Sequence, residues 1–151
     1  MIRAHRKSAV ERGRRDHWRM PTRKVVQVLT DTLAWHPELQ LAIVFGSVAR
    51  GRERADSDVD IAVQAAKALD AQQRIQLVGD IASATGRAVD LVDPRTAGGP
   101  LLGQILECGQ RLLGSDETFG ALLSRHLIDD ADFGPYAQRM VDERRRAWIG
   151  K

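Results

Sequence analysis

The chain has a single cysteine, Cys108, among its 151 residues, only five prolines, and aromatic residues at 5%. One thiol cannot build a disulfide framework or a thiolate metal cluster, so the expected compartment is a reducing one, the cytoplasm. Trp35, Trp148 and the single tyrosine, Tyr136, read as packing or interface residues rather than stacking platforms. Long hydrophobic runs are missing as well. No window approaches the roughly eighteen uninterrupted apolar residues of a membrane span, and no membrane association is expected. A Walker loop is excluded because no Gly-Lys-Ser/Thr follows a glycine-rich turn, and an EF-hand because no Asp-x-Asp-x-Asp-Gly run with a following Glu exists.

Charge is unevenly spread. Residues 1–19 hold seven Arg/Lys against Glu11 and Asp16, a net of +5 that leaves −2 for residues 20–151. The basic segment is expected to be a solvated, disordered leader, with Met20-Pro21 as a natural start, and direct nucleic-acid binding is not expected of it. Residues 20–151 then form one domain with one modest core.

Along that domain, Val25, Val26, Val28, Leu29, Leu33 and Ala34 recur at helical spacing between Pro21 and His36-Pro37. Leu41-Ala-Ile-Val-Phe45 is a short run of β-formers, as in a strand buried on both faces, and Gly46 ends it. Asp60-Ile-Ala-Val63 reads as a second strand, Leu69 to Thr85 as a helix closed by Gly86, and Val89-Asp-Leu-Val92 as a third strand before Pro94. Pro100 to Glu107 makes a further helix, Arg111-Leu-Leu113 a short edge strand, and Phe119 to Leu127 and Pro135 to Ile149 a helical tail. The alternation predicts a small α/β fold, a short mixed sheet flanked by helices.

The segment Phe45-Gly-Ser-Val-Ala-Arg-Gly-Arg-Glu-Arg-Ala-Asp-Ser-Asp-Val-Asp60 carries the chemistry. Gly46 permits a sharp turn and close backbone approach, while Ser47 and the free N–H groups of a short helix beginning there suit the outer phosphates of a nucleoside triphosphate. Asp58 and Asp60, two apart, place both carboxylates on one face of a strand. Oxygen ligands of this kind favour Mg²⁺ or Mn²⁺. Asp90, inside an apolar run, is costly as an ion without a metal or partner, which makes it the best third ligand. If the first two strands are antiparallel, the turn and the carboxylates converge on one sheet edge. Two ions could then assist an in-line displacement of pyrophosphate by an attacking hydroxyl. A purely structural alternative pairs the acids with Arg50, Arg52 and Arg54.

Gly46-Ser47, ten residues, then Asp58-Val-Asp60 resembles the Gly-Ser-x10-Asp-x-Asp signature of the DNA polymerase β-like nucleotidyltransferase superfamily. Within it, "GSVARG", "SDVD" and "VDLVD" resemble the minimal nucleotidyltransferases, including the antitoxins paired with HEPN-domain ribonuclease toxins. The resemblance implies that Gly46 and Ser47 hold the triphosphate of ATP. It also implies that Asp58 and Asp60 bind two Mg²⁺ or Mn²⁺ ions, and that Asp90 binds the ion near the attacking oxygen. By charge and position, Arg50 is a candidate to neutralise phosphate. The activity implied is transfer of AMP from ATP to a hydroxyl, in such antitoxins a tyrosine of the HEPN partner. A free-standing enzyme for a small molecule or RNA end, and an antitoxin that acts by binding alone, stay open.

Other candidates are weaker. His5 and His17 lie in the leader, His36 ends a helix, His126 follows Arg125, and none pairs at metal spacing. Asp129, Asp130 and Asp132 read as a solvated loop cluster that could touch a basic partner. Asp93 has the opposite strand parity to Asp90 and is expected to cap the following turn.

Overall fold

The run Leu41 to Phe45 is apolar at every position because helices cover both faces of the strand it forms. In the computed structural model, which describes residues 22–149 except 53 and 55, that strand is β1 (Leu39–Phe45). It lies between helix α1 (Thr22–Leu33) and a single helical turn, α2 (Gly46–Ala49). Then come β2 (Val59–Ala65), α3 (Ala71–Thr85), β3 (Val89–Val92), α4 (Gly99–Cys108), β4 (Gln110–Gly114) and α5 (Asp116–Ile149). The expected leader, residues 1–19, lies outside the described residues.

The sheet has the order β3-β2-β1-β4. β1 runs antiparallel to both β2 and β4, and β2 runs parallel to β3, so the sheet is mixed as expected. Alternation along the strands divides the core in two. Ala42 and Val44 of β1 join Val59, Ile61 and Val63 of β2 beneath Val25, Leu29 and Leu33 of α1 and Leu77 and Ile81 of α3. Leu41, Ile43 and Phe45 join Ala62 on the opposite face, against Leu102 and Ile105 of α4 and Leu122 of α5.

Helix boundaries follow local chemistry. Asp70 begins α3 as its N-cap: its Oδ1 accepts from Gln73 N at 2.7 Å, and Gln73 Oε1 accepts from Asp70 N at 2.9 Å. Gly86 ends the same helix at φ 67°. His36, buried at the end of α1, contacts Asp80 of α3 through Nε2 at 2.9 Å and Glu38 through Nδ1 at 3.2 Å. This histidine is therefore a polar clasp between two helices.

Two expectations need correction. The helical tail is not two stretches but one helix of 34 residues that runs through Pro135. Asp129, Asp130 and Asp132, expected in a loop, therefore lie on α5. The helix continues through position 135 although proline supplies no N–H to the ladder.

Ile61 is fully buried at the centre of the sheet, whereas Ile75 on α3 is 73% exposed. Ile61→Ala should therefore lower unfolding free energy by about 2–5 kcal/mol, and Ile75→Ala by no more than about 0.5 kcal/mol, in urea titrations.

Candidate active site

The antiparallel register of β1 and β2 pairs Phe45 with Asp60, so the turn that follows Phe45 lies against the start of β2. Gly46 opens α2 at φ +68°, a left-handed conformation that side chains with a Cβ resist. Space imposes a second requirement, because a Cβ at position 46 would collide with Asp60 Oδ2 and lie 3.1 Å from Asp60 Cγ. The glycine thus leaves room for the carboxylate. Ser47 stands in the single turn of α2, whose N-cap, Phe45, provides no side-chain hydrogen bond. Among the described residues its hydroxyl has no hydrogen-bond partner.

The parallel pairing of β2 with β3 sets Asp60 in register with Asp90. Asp60 follows the face of Ala62, while Leu91 next to Asp90 belongs to the opposite core, so both carboxylates project to the side covered by α4 and α5. The expectation that Asp58 and Asp60 share one face of a strand needs correction: β2 begins at Val59, and Asp58 lies just before it on an exposed loop position. Burial raises the pKa of Asp60, and the charges of Asp90 and Asp58 push it the same way. The three sequence candidates are therefore electrostatic neighbours.

The reason given for Asp90 needs correction. Its side chain is exposed on the edge strand β3, although Leu91 is buried in one core and Val92 packs against the other. Desolvation falls on Asp60 instead. The arginine alternative also finds no support: among the described residues, Arg50, Arg52 and Arg54 make no ion pair with Asp58, Asp60 or Asp90. Arg50 is exposed directly after α2.

The carboxylate oxygens of Asp58, Asp60 and Asp90 are donors of the kind that a hard divalent cation takes. Among the described residues, however, no group of three or more His, Cys, Asp or Glu side chains is drawn together closely enough to hold one. Like charges repel one another unless a cation offsets them.

Loops around the carboxylates are pinned by arginines that sequence patterns do not single out. Arg87, 7% exposed, donates through Nη1 to Arg54 O at 3.0 Å and Ser57 O at 3.3 Å. The same loop is closed by Arg54 N donating to Ser57 Oγ at 2.7 Å, and Val59 N donates to Ala88 O at 2.8 Å. The approach to Asp58 is thereby tied to the turn after α3. In the sequence, Arg87 is one basic residue after a helix-ending glycine, and nothing local marks it as buried.

Asp93 caps its turn as expected, accepting from Arg95 N at 2.9 Å and from Arg95 Nη2 at 2.9 Å. Burial would raise the pKa of Asp93, but these bonds, with the charges of Arg95 and Arg74, hold it below the ordinary carboxylate value. Arg125 on α5 donates to the Arg95 and Pro94 carbonyls at 2.8 and 2.9 Å. That contact fixes α5 beside the end of β3.

A serine-bearing turn held against in-register carboxylates on a mixed sheet is the arrangement of a nucleotidyltransferase. Residues 27–118 match the family described as polymerase beta, nucleotidyltransferase, and the chain belongs to that family. Its relatives include the protein adenylyltransferase MntA of Shewanella oneidensis, 41% identical over 99 residues, which are 64% of this chain and 69% of that protein. A chain in a crystal structure of a toxin–antitoxin with AMP-PNP matches at TM-score 0.65 and 32% identity, covering 82% of this chain and 98% of that one. Another match, at TM-score 0.59 and 31% identity, is to a tri-AMPylated Shewanella oneidensis HEPN toxin in complex with MNT antitoxin, covering 82% of this chain and 94% of that one. Among the described residues no helix is long and apolar enough to cross a membrane.

Because the pKa of Asp60 is raised on folding, its ionised form opposes folding at neutral pH, and that opposition fades as pH falls through the carboxylate range. In chelator at pH 7, Asp60→Asn should raise Tm by roughly 2 °C, a gain that shrinks on acidification. Mn²⁺ should raise the Tm of the wild type but not of the variant, both read by differential scanning fluorimetry. Arg87→Ala should free the loop it clasps, so limited trypsin digestion after Arg52 and Arg54 should run about tenfold faster than in the wild type.

Proposed function

We propose that the chain is a protein adenylyltransferase that moves AMP from ATP to a tyrosine hydroxyl of a HEPN-family toxin and so serves as its antitoxin. The observation that carries this reading is the double register, Phe45 with Asp60 and Asp60 with Asp90, which brings the Gly46 turn beside Asp60 and Asp60 beside Asp90. The adenylyltransferase named among the relatives and the AMP-modified HEPN toxin among the similar structures support the choice of AMP and of a protein acceptor.

In this reading, the backbone amides at Gly46 and Ser47 and the Ser47 hydroxyl hold the triphosphate, and Arg50 offsets its negative charge. Asp58, Asp60 and Asp90 are the carboxylates that would hold two Mg²⁺ or Mn²⁺ ions. When bound, such ions neutralise phosphate oxygens and favour the ionised acceptor. Asp60, partly buried and anchored in β2, fixes the position of the set. Asp90, exposed on the edge strand, is the carboxylate open to an incoming acceptor. In the transfer, the acceptor oxygen bonds to the α-phosphorus, the bond to the pyrophosphate oxygen breaks, and the hydroxyl proton is lost.

The test is intact-mass spectrometry of a HEPN-domain toxin that binds this chain, after incubation with ATP and Mg²⁺. Adenylyl-sized additions should appear on a tyrosine with the wild type and vanish with the Asp58→Ala/Asp60→Ala double variant. A stable complex without any mass change would replace this reading with that of an antitoxin acting by binding alone.

A further inference from the structure

A groove of about 960 Å³ opens between α4 and α5, with Arg50 at its edge and Glu107, Cys108, Asp129 and Asp130 among its lining residues. Its floor is small and apolar, formed in part by Ala97, Leu102 and Gly103. The two helices bounding it cover the sheet face onto which Asp60 and Asp90 project, and Arg50 directly follows the Gly46–Ala49 turn. An occupant of this groove would thus reach the Gly46–Ala49 turn at Arg50, on the sheet face that carries Asp60 and Asp90.

Two properties indicate what that occupant is. Glu107, Asp129 and Asp130 are exposed, and among the described residues none of them has an ion-pair or hydrogen-bond partner. Three carboxylates against Arg50 and the imidazole of His126 disfavour a triphosphate and favour a cationic group. Next to the acids, Leu123 and Leu127 are 36% and 58% exposed. Leu127 is four residues beyond Leu123 and Asp130 three beyond Leu127, so the three share one side of the helix. Exposed leucines next to unpaired acids match a surface that is both apolar and basic.

We infer that the groove between α4 and α5 is the docking site of the protein acceptor, which enters with a segment carrying lysine or arginine beside an apolar residue. This assignment rests on the protein-acceptor reading above and places the acceptor on the face that Asp90 shares. Arg50 marks the end of the groove where the basic segment stops and the phosphates begin.

Cys108, exposed and the only cysteine of the chain, is a built-in reporter. The full-length protein would be alkylated with a maleimide, alone, with ATP and Mn²⁺, and with the HEPN-domain protein, and its labelling rate read by mass. The HEPN protein should slow labelling about tenfold, and ATP should leave the rate within about twofold. In transfer assays, Asp129→Lys/Asp130→Lys and, separately, Leu127→Ala should raise KM for the protein acceptor, the charge reversal by about tenfold or more. For both variants, kcat and the KM for ATP should remain within about twofold of wild type. Leu127→Ala replaces an exposed side chain and keeps the test valid if the charge reversal misfolds. Protection of Cys108 by ATP alone, or unchanged acceptor KM in both variants, would overturn the assignment. Cys108 protection without transfer would leave the docking site standing and remove the AMP-transfer reading. Transfer with Cys108 unprotected and KM unmoved would do the reverse.

Discussion

Asp60 Oδ2 lies where a Cβ at position 46 would have to be, and much of the site depends on that close approach. It requires a glycine at a left-handed φ, a strand pair in one register, and a carboxylate carried partly out of water. A shift of one residue in the pairing of β1 with β2 would turn Asp60 into the core beneath α1 and α3 and bring Ile61 to the site. The register is protected by the apolar residues around it. Val59, Ile61 and Val63 all bury on one face, Ala62 on the other, and the same hydrophobic alternation that builds the core aims the carboxylate.

Much of the remaining order comes from arginines holding backbone carbonyls. Arg87 clasps the loop that leads to Asp58, and Arg125 ties α5 to the turn after β3. Asp93 and Arg95 brace that turn from within. The bonds of Arg87 and Arg125 join segments that are some thirty residues apart in sequence, and each holds loop carbonyls. Charge is thus used in two ways around the site. Guanidinium groups are spent on structure, while Asp58, Asp60 and Asp90 have no cation of the described chain beside them. This imbalance suits a site whose working charges arrive from outside.

The placement of Asp90 shows how a sound local rule can reach the right residue for an incomplete reason. Its apolar neighbours suggest burial, yet its place on the edge strand leaves the carboxylate exposed. Burial acts on Asp60, one strand further in, and only the strand order decides between them. The acids of α5 are a parallel case. Three aspartates near a glycine and a proline look like a loop, but the helix continues through them and sets two of them on the wall of the groove.

By itself the sequence determined the element order, the mixed α/β class, the glycine turn and the aspartate pair. Those features rest on short-range rules, such as the unbroken apolar run of β1, the glycine that ends α3, and the closeness in sequence of Asp58 and Asp60. Tertiary structure alone decided that Asp60 meets Asp90 in register, that Arg87 is buried against a loop some thirty residues earlier, and that α4 and α5 enclose a groove on the carboxylate face. Contacts of that kind depend on strand order and on how helices lie across a sheet. No local spacing encodes either one, because each is set by packing between segments that meet only in the folded chain.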